Sequence, residues 1–262
     1  MYVKVNGIDI HVEIQGAGAP LVLVHGLGAS LRVWQADVAR YAPHFRLMTY
    51  DARGHGKSSR PARYTLQDHI EDLRALLDTM GDGPVTLLGA SMGSYIAQGL
   101  ASRYPASVSK LVLVAPKCHG ATSSSARILA EHADAVAGMT HRERQAFLLD
   151  KAFSSAAPAS VREAVLALEL SDLLDEQAMA AASDALAGFD FRQMLPRVSA
   201  STLVICGRDD ILNPPQAAQE CAALIPDCRY VEIADAGHFP GAEAPDRYYA
   251  ALDAFLGVPS RP

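Results

Sequence analysis

Gly89-Ala90-Ser91-Met92-Gly93 is the stretch that decides the fold of this chain. It lies between residues 84–88, a short apolar run typical of a buried strand, and residues 94–101, which are typical of a helix. A serine on such a sharp strand-to-helix turn has a strained backbone, and glycines two positions away on either side avoid clashes. The turn exposes the hydroxyl, and the N-terminus of the following helix supplies free N–H groups and positive potential. Ser91 is therefore predicted to be a catalytic nucleophile.

An acidic residue and a histidine follow this turn, each after a further predicted strand. Asp209 and Asp210 come after the strand at 202–206, and His238 comes after the strand at 229–233. In this order the histidine is suited to act as general base for the serine, while a carboxylate holds the histidine tautomer and stabilises the imidazolium. His238 is the predicted base, and the order alone leaves the acid open between Asp209 and Asp210.

The order of serine, acid and histidine resembles that of the α/β-hydrolase superfamily. Three other stretches resemble motifs of that family. They are His25-Gly26-Leu27-Gly28, which resembles its oxyanion loop, Asp51-Ala52-Arg53-Gly54-His55-Gly56-Lys57-Ser58, which resembles its D-x-R-G-x-G-x-S turn, and Gly207-x-x-Asp210-x-x-x-Pro214, which resembles its acid motif. Within the superfamily the chain resembles bacterial carboxylesterases and enol-lactonases.

This resemblance implies roles for individual residues. The acid motif selects Asp210 as the acid of the triad, which leaves Asp209 as a solvated loop residue or a cap for neighbouring backbone. By position, the backbone N–H groups of Leu27 and Met92 form the oxyanion hole. The side chains of these two residues are expected to face the acyl pocket.

Alternating strands and helices predict the α/β fold of this family, with a mostly parallel sheet covered by helices on both faces. Strands are predicted at 2–5, 8–15, 20–25, 45–50, 85–88, 108–114, 202–206 and 229–233. Residues 1–115 and 198–262 form the predicted core. Residues 116–197 are alanine-rich, with helical patterns near 126–138, 140–153, 160–170 and 175–188. They are predicted to form a small helical cap, inserted after the sixth strand.

The cap supplies large apolar side chains for a substrate pocket. Those predicted to line it are Phe147, Phe153, Met179, Phe189 and Met194. Such a pocket suits a small ester or lactone whose acyl or alcohol group is mostly apolar. The expected reaction is acyl transfer to the serine followed by hydrolysis, with no cofactor and no metal.

Composition and charge narrow the class of protein. The 262 residues fit one α/β domain with a modest insertion, and half of them are apolar. A net charge of −6 without a basic stripe argues against nucleic acid as a partner. The four cysteines lack metal-like spacing, which favours free thiols in a reducing cytosol. Since neither a signal peptide nor an apolar run of roughly 20 residues is found, we expect a cytoplasmic protein without a membrane partner; the oligomeric state is left open.

The other histidines are not expected to take part in catalysis. His25 and His55 match family histidines that organise loops near the site. The rest lack any paired spacing for a metal and are expected at the surface: His11, His44, His69, His119, His132 and His141.

Other activities of the same fold remain open. Haloalkane dehalogenases and soluble epoxide hydrolases carry an aspartate nucleophile, which the serine argues against. Carbon–carbon bond hydrolases usually carry asparagine and tryptophan where this chain has Ala90 and Phe239. Cofactor-free haloperoxidases share the same triad, and a ligand receptor on this fold would keep an intact site with little turnover.

Overall fold

The centre of the structure is a sheet of eight strands, described by a computed structural model that covers residues 1–81 and 83–259. In chain order the strands of the described residues are β1 (Tyr2–Val5), β2 (Ile8–Gln15), β3 (Pro20–Val24), β4 (Arg46–Tyr50), β5 (Val85–Ala90), β6 (Val108–Val114), β7 (His119–Gly120), β8 (Phe189–Asp190), β9 (Ser201–Gly207) and β10 (Cys228–Ile233). The sheet has the order β1-β2-β4-β3-β5-β6-β9-β10, and β7 pairs only with β8. Its eight members coincide with the eight predicted strands to within about two residues.

The directions of the strands place all the candidate residues at one edge of the sheet. Two pairs are antiparallel, β1 with β2 and β2 with β4, and the remaining neighbours are parallel. Parallel strands end at the same edge, which is where open α/β sheets bind their ligands. The segments that follow β3, β5, β9 and β10 therefore meet there.

Helices cover both faces of this sheet. In chain order those of the described residues are α1 (Gln35–Tyr41), α2 (Leu66–Met80), α3 (Met92–Arg103), α4 (Ser124–Glu131), α5 (Ala133–Val136), α6 (His141–Lys151), α7 (Ala159–Ser171), α8 (Glu176–Asp184), α9 (Pro215–Leu224), α10 (Pro240–Glu243) and α11 (Pro245–Leu256). Short 3-10 helices add Leu31–Trp34, Pro105–Ser107 and Leu195–Arg197.

Side chains of one strand alternate between two hydrophobic cores. Val22 of β3 packs in the core shared with α2, α3 and α9, whereas its neighbour Leu23 packs in the core shared with α1 and α11. Both side chains are fully buried. Because successive strand residues point to opposite faces, apolar residues at every position of β3 bury both sides of the sheet.

The bounds of the helix α2 are encoded locally, by the residues that cap its start and its end. Asp68 N donates to Thr65 Oγ1 at 3.2 Å, and Thr65 N donates to Asp68 Oδ2 at 2.7 Å, which together form a capping box. Gly81 ends the helix with a φ of 69°, a left-handed conformation that glycine adopts without strain.

The inserted segment, residues 115–200 between β6 and β9, contains α4 to α8. The helix predicted at 126–138 is two helices, because His132 leaves the helical conformation with φ −116° and ψ 28°. The pair of β7 and β8 was not predicted. Its register joins His119 to Asp190 and Gly120 to Phe189, and two residues on each side are too short to show a periodic pattern.

Candidate active site

Ser91 occupies a strained turn between β5 and α3. Its φ of 51° and ψ of −118° lie outside the regions that a serine ordinarily adopts, and its N–H donates to Val114 O at 2.9 Å. A Cβ on Gly89 would lie 2.2 Å from Gly93 O, and one on Gly93 would lie 2.0 Å from Val24 O. The two glycines therefore allow the turn to pack against itself and against β3, which holds the serine in this conformation.

The first turn of α3 begins at the Ser91 carbonyl. Ser91 O accepts from Ser94 N at 2.8 Å and from Ser94 Oγ at 2.6 Å. Met92 is the first residue of the helix, where backbone N–H groups have no partner within the helix. The Met92 side chain was predicted to face the acyl pocket, but it is fully buried in the core beside α3. Leu27 lines the cavity that also borders Ser91, which is described below.

The structure distinguishes the two candidate acids. His238 Nδ1 lies 2.7 Å from Asp210 Oδ2, and the Asp210 carboxylate is nearly fully buried. Its Oδ1 accepts from the backbone N–H groups of Leu212 at 2.9 Å and Asn213 at 3.0 Å. Asp209 instead accepts a hydrogen bond from Ser154 of the inserted segment. Asp210 is thus the carboxylate placed to orient the histidine.

The loop that carries His238 is held against the inserted segment. His238 N donates to Ala152 O at 2.8 Å, and a Cβ on Gly237 would lie 2.3 Å from the same carbonyl oxygen. The carboxylate of Glu243 accepts from the N–H groups of Gly237 and Phe239, each at 3.0 Å. Glu243 therefore fixes the histidine loop. Nothing in the sequence around Glu243 predicted this role.

The electrostatic surroundings of His238 favour its protonated form. Burial lowers the pKa of His238, whereas the charge and hydrogen bond of Asp210, with the charges of Glu243 and Glu169, raise it. The net pKa lies above the ordinary value of 6.5. Because an imidazolium forms when the serine loses its proton to the histidine, these carboxylates stabilise that state.

His25 holds the oxyanion loop through two backbone contacts. Its Nε2 lies 2.9 Å from Ala52 N, and its Nδ1 lies 2.8 Å from Gly26 O. Since the Ala52 N–H can only donate, Nδ1 carries the proton and donates to Gly26 O. Burial lowers the pKa of His25, which keeps this tautomer neutral. The ring thereby fixes the peptide plane between Gly26 and Leu27.

Two of the histidines expected at the surface are buried. His11 Nδ1 lies 3.0 Å from Asp51 Oδ2, and His69 packs edge-on against Tyr64 on the inner side of α2. Burial lowers the pKa of His69 to about 3. His11 lies on the strand β2 and His69 on the helix α2, and the identity of a single residue does not show which face of an element it occupies, which explains the error.

Tyr95 and Asn213 link the nucleophile to the acid loop, and sequence reasoning missed both. Asn213 Nδ2 donates to Tyr95 Oη and to Ala115 O, each at 2.7 Å, and Ser124 Oγ donates to Asn213 Oδ1 at 2.7 Å. Burial raises the pKa of Tyr95, while hydrogen bonds involving Asn213, Ser124 and Ser91 lower it. Asn213 follows Asp210 by only three residues, and this spacing was the sequence signal that its amide belongs to the acid loop.

Ser91 and His238 both border a cavity of about 320 Å³. Most of its wall is apolar and comes from the oxyanion loop, the inserted segment and the histidine loop; these side chains include Leu27, Val33, Leu148, Leu149, Val165, Leu168, Leu186, Leu212 and Phe239. We refer to it as the active-site cavity. Its size and apolar lining are typical of a small-molecule site.

The wall of the active-site cavity differs from the predicted pocket. Phe147, Phe153, Met179, Phe189 and Met194 all belong to the described residues, and none of them lines it. Phe147 packs against His132, Phe153 against Phe239, and Phe189 is stacked on Tyr95 with ring centroids 4.9 Å apart. The Met179 side chain lies against Gly28, and Met194 packs at the edge of the core. The inserted segment lines the cavity, as predicted, but through other side chains.

Within residues 1–81 and 83–259, no group of three or more His, Cys, Asp or Glu side chains is arranged to hold a metal ion. In the same residues, none of the helices combines the length and the apolar character that a bilayer span requires.

Comparisons with known proteins find similar sequences and similar folds. A model of the alpha/beta hydrolase family matches residues 21–251. The pimeloyl-acyl-carrier-protein methyl ester esterase of Vibrio vulnificus (strain YJ016) is 29% identical over 255 residues, covering 95% of this chain and 98% of that protein. The solved enol-lactonase from Burkholderia xenovorans LB400 is 28% identical with a TM-score of 0.85, covering 98% of this chain and all of the other. A thermophilic esterase from Thermogutta terrifontis is 27% identical with a TM-score of 0.80, covering 98% and 96% of the two chains.

Proposed function

Because the chain belongs to the alpha/beta hydrolase family, we propose that it is a serine hydrolase that cleaves a small ester or lactone through an acyl-enzyme on Ser91. The observation that carries this proposal is the convergence of three elements on one site. Ser91 and His238 border the same cavity, and Asp210 lies 2.7 Å behind His238.

The tautomer of His238 suits it to act as general base. Asp210 accepts a hydrogen bond from the protonated Nδ1, so Nε2 is left as the acceptor for the serine proton. Ser91 Oγ then attacks the carbonyl carbon of the substrate, and the proton passes to Nε2. The Asp210 carboxylate stabilises the imidazolium that results.

The backbone turn supplies the donors for the developing oxyanion. We assign this role to the N–H groups of Leu27, in the oxyanion loop, and of Met92, the first residue of α3. His25 fixes the peptide plane of the first, and the helix fixes the second. Donors that are already oriented stabilise the negative charge without reorganisation.

Collapse of the tetrahedral intermediate releases the alcohol, which takes the proton from His238, and leaves the acyl group on Ser91. A water molecule then attacks the acyl carbon, with His238 again accepting a proton. The second intermediate releases the carboxylic acid and restores the serine. In a lactone the alcohol and the acid belong to one product.

The substrate class follows from the cavity and from the relatives. The wall is largely apolar and a volume of about 320 Å³ limits the substrate to a small molecule. Two of the relatives are named as an ester esterase and an enol-lactonase. We therefore propose a small, mostly apolar ester or lactone.

The test is steady-state hydrolysis of p-nitrophenyl esters of increasing acyl length and of simple lactones. We expect multiple turnovers by the native protein and a loss of about 10⁶ in kcat for Ser91→Ala. Ser107→Ala, which changes a serine away from the cavity, is the matched control. An acyl group found on Ser91 by mass spectrometry would support the covalent step. A single slow turnover, or activity retained in Ser91→Ala, would refute the proposal and favour a ligand receptor.

A further inference from the structure

Two carboxyl groups on the wall of the active-site cavity have no part in the proposed mechanism. Asp37 comes from α1 and Glu169 comes from α7, so they reach the cavity from different layers of the fold. Buried carboxylates are costly unless they are paired, so each one calls for an explanation.

Asp37 is 6% exposed, and its Oδ1 has no hydrogen-bond partner among the described residues. Burial raises the pKa of Asp37 to about 7. The nearby Arg40 does not satisfy this oxygen, because its Nε donates to Asp253 at 3.0 Å and its guanidinium lies over the ring of Tyr249. Asp37 therefore lines the cavity and carries a buried carboxyl oxygen that has no hydrogen-bond partner among the described residues.

Glu169 is a half-buried carboxyl on the cavity wall, close enough to His238 for their charges to interact. The charges that act on it are those of His238 and Asp172, and no hydrogen bond from the described part of the chain contributes. Burial raises the pKa of Glu169 to about 7. Asp172 itself is engaged by Ser30 Oγ at 2.6 Å and Arg32 at 3.0 Å.

The rest of the wall favours a positive ligand. None of the described residues that line the cavity is a lysine or an arginine. Trp34 and Tyr248 also line the cavity, as does Tyr249, whose ring already contacts the guanidinium of Arg40. Aromatic faces attract ammonium groups, above all where water is excluded. Carboxyl oxygens and aromatic faces together make a site complementary to a cation and repellent to an anion.

We propose that the active-site cavity binds a substrate that carries an ammonium group, attracted by the negative charges of the Asp37 and Glu169 carboxylates and by aromatic rings of the wall. This inference deepens the proposed function and rests on it for the identity of the ligand as substrate. The apolar wall accommodates the rest of the molecule. A cation in the cavity lowers the cost of ionising the carboxyl groups on its wall.

A binding experiment tests this inference without depending on turnover. Trp34 is the single tryptophan of the chain and lines the cavity, so its fluorescence reports occupancy directly. The probes are choline and 3,3-dimethyl-1-butanol, which have the same shape and differ in charge. At pH 8, where both carboxyls are largely ionised, we expect choline to bind at least about tenfold more tightly.

Near-isosteric variants identify the groups that cause the preference for choline. Asp37→Asn and Glu169→Gln should each reduce the preference for choline, and the double variant should abolish it. Glu163→Gln removes one charge from the exposed side of α7 and should leave the preference unchanged. Circular dichroism and the emission maximum of Trp34 establish that each variant is folded.

The outcomes separate this inference from the proposed function. Equal binding of the two probes, or a preference that survives in the double variant, would overturn the cation site even if esters are hydrolysed. Preferential choline binding by a protein that hydrolyses no ester would refute the hydrolase and leave the cation site established. Turnover of p-nitrophenyl acetate that choline inhibits better than its neutral isostere would support both.

Discussion

Ser154 Oγ lies 2.5 Å from Asp209 Oδ2, so the acidic residue adjacent to Asp210 is bonded to the inserted segment and not to the histidine. Ser154 also donates its N–H to Glu243 at 2.8 Å. One residue after the end of α6 thereby ties together the acid loop, through its hydroxyl, and the histidine loop, through its backbone N–H. The two neighbouring carboxylates therefore have different roles. Asp210 orients His238, and Asp209 binds the inserted segment.

This division predicts unequal effects of two identical substitutions. Asp210→Asn keeps the shape of the side chain but removes the charge that orients the imidazole, and we expect kcat to fall by about 10⁴. Asp209→Asn keeps a hydrogen-bond acceptor for Ser154, so kcat should fall by less than about tenfold. Steady-state kinetics on one ester would measure both. The reverse ranking would show that the acid has been assigned one residue too late.

The pKa of His238 predicts the acidic limb of the pH profile. Protonated His238 is unable to accept the serine proton, so kcat/KM should fall as the pH decreases through a midpoint above 6.5. In Asp210→Asn the charge that raises this pKa is lost while burial still lowers it. We expect the midpoint of the residual activity to move to lower pH, measured with a neutral ester. A midpoint that stays in place would exclude His238 as the titrating group.

The packing of Gly93 against β3 predicts a large loss of stability on adding one methyl group. Gly93→Ala would place a Cβ 2.0 Å from Val24 O, and backbone on both sides is unable to yield. We expect a cost of about 3 kcal/mol or more in the free energy of unfolding, measured by urea denaturation. Gly26→Ala is the control, because its Cβ would meet the nearest atom, Ser91 Cβ, at an ordinary 3.5 Å. Similar stabilities of the two variants would contradict this account.

The elements that sequence predicts well are those whose signals are local. The bounds of α2 follow from its capping box and its apolar period, and the turn at Ser91 follows from two glycines within five residues. The order of residues left the acid open between Asp209 and Asp210, and the acid motif favoured Asp210, which is the carboxylate that contacts His238.

The pocket could not be predicted in the same way, because its wall depends on how the inserted helices rotate. Phe147 is the largest apolar side chain of α6, yet it packs on His132 while Leu148 and Leu149 reach the cavity. Charged residues are expected outside, so sequence gave no reason to place Asp37 and Glu169 on the cavity wall. Both positions depend on contacts between segments that are far apart in the chain.

Side chains two residues apart on α6 should therefore differ in their effect on specificity. Leu149 lines the active-site cavity, so Leu149→Ala should enlarge it and shift the preference for acyl length by about 10- to 200-fold. Phe147→Ala should lower the melting temperature through lost packing, with little change in preference. The measurements are kcat/KM across acyl lengths and a thermal melt of each variant. A comparable shift of preference in Phe147→Ala would place its ring in the substrate path.

The buried carboxyl of Asp37 predicts a stability difference that depends on pH. Burial raises the pKa of Asp37 from 3.8 to about 7 in the folded protein, so the folded state holds a proton that the unfolded state releases between these values. The stability contributed by Asp37 is complete below about pH 4 and is lost as the pH rises through 7. Asp37→Asn has no such loss. Its free energy of unfolding, relative to the native protein, should thus rise from pH 4 to pH 8 by an amount on the order of a few kcal/mol, since one pKa unit corresponds to about 1.4 kcal/mol.

Urea denaturation at both pH values measures this difference, and the exposed Asp227→Asn serves as the control, for which it should stay near zero. A difference for Asp37→Asn that is the same at pH 4 and pH 8 would mean that this carboxyl is satisfied in the folded protein, and the account of an unpaired acid in the cavity would be refuted.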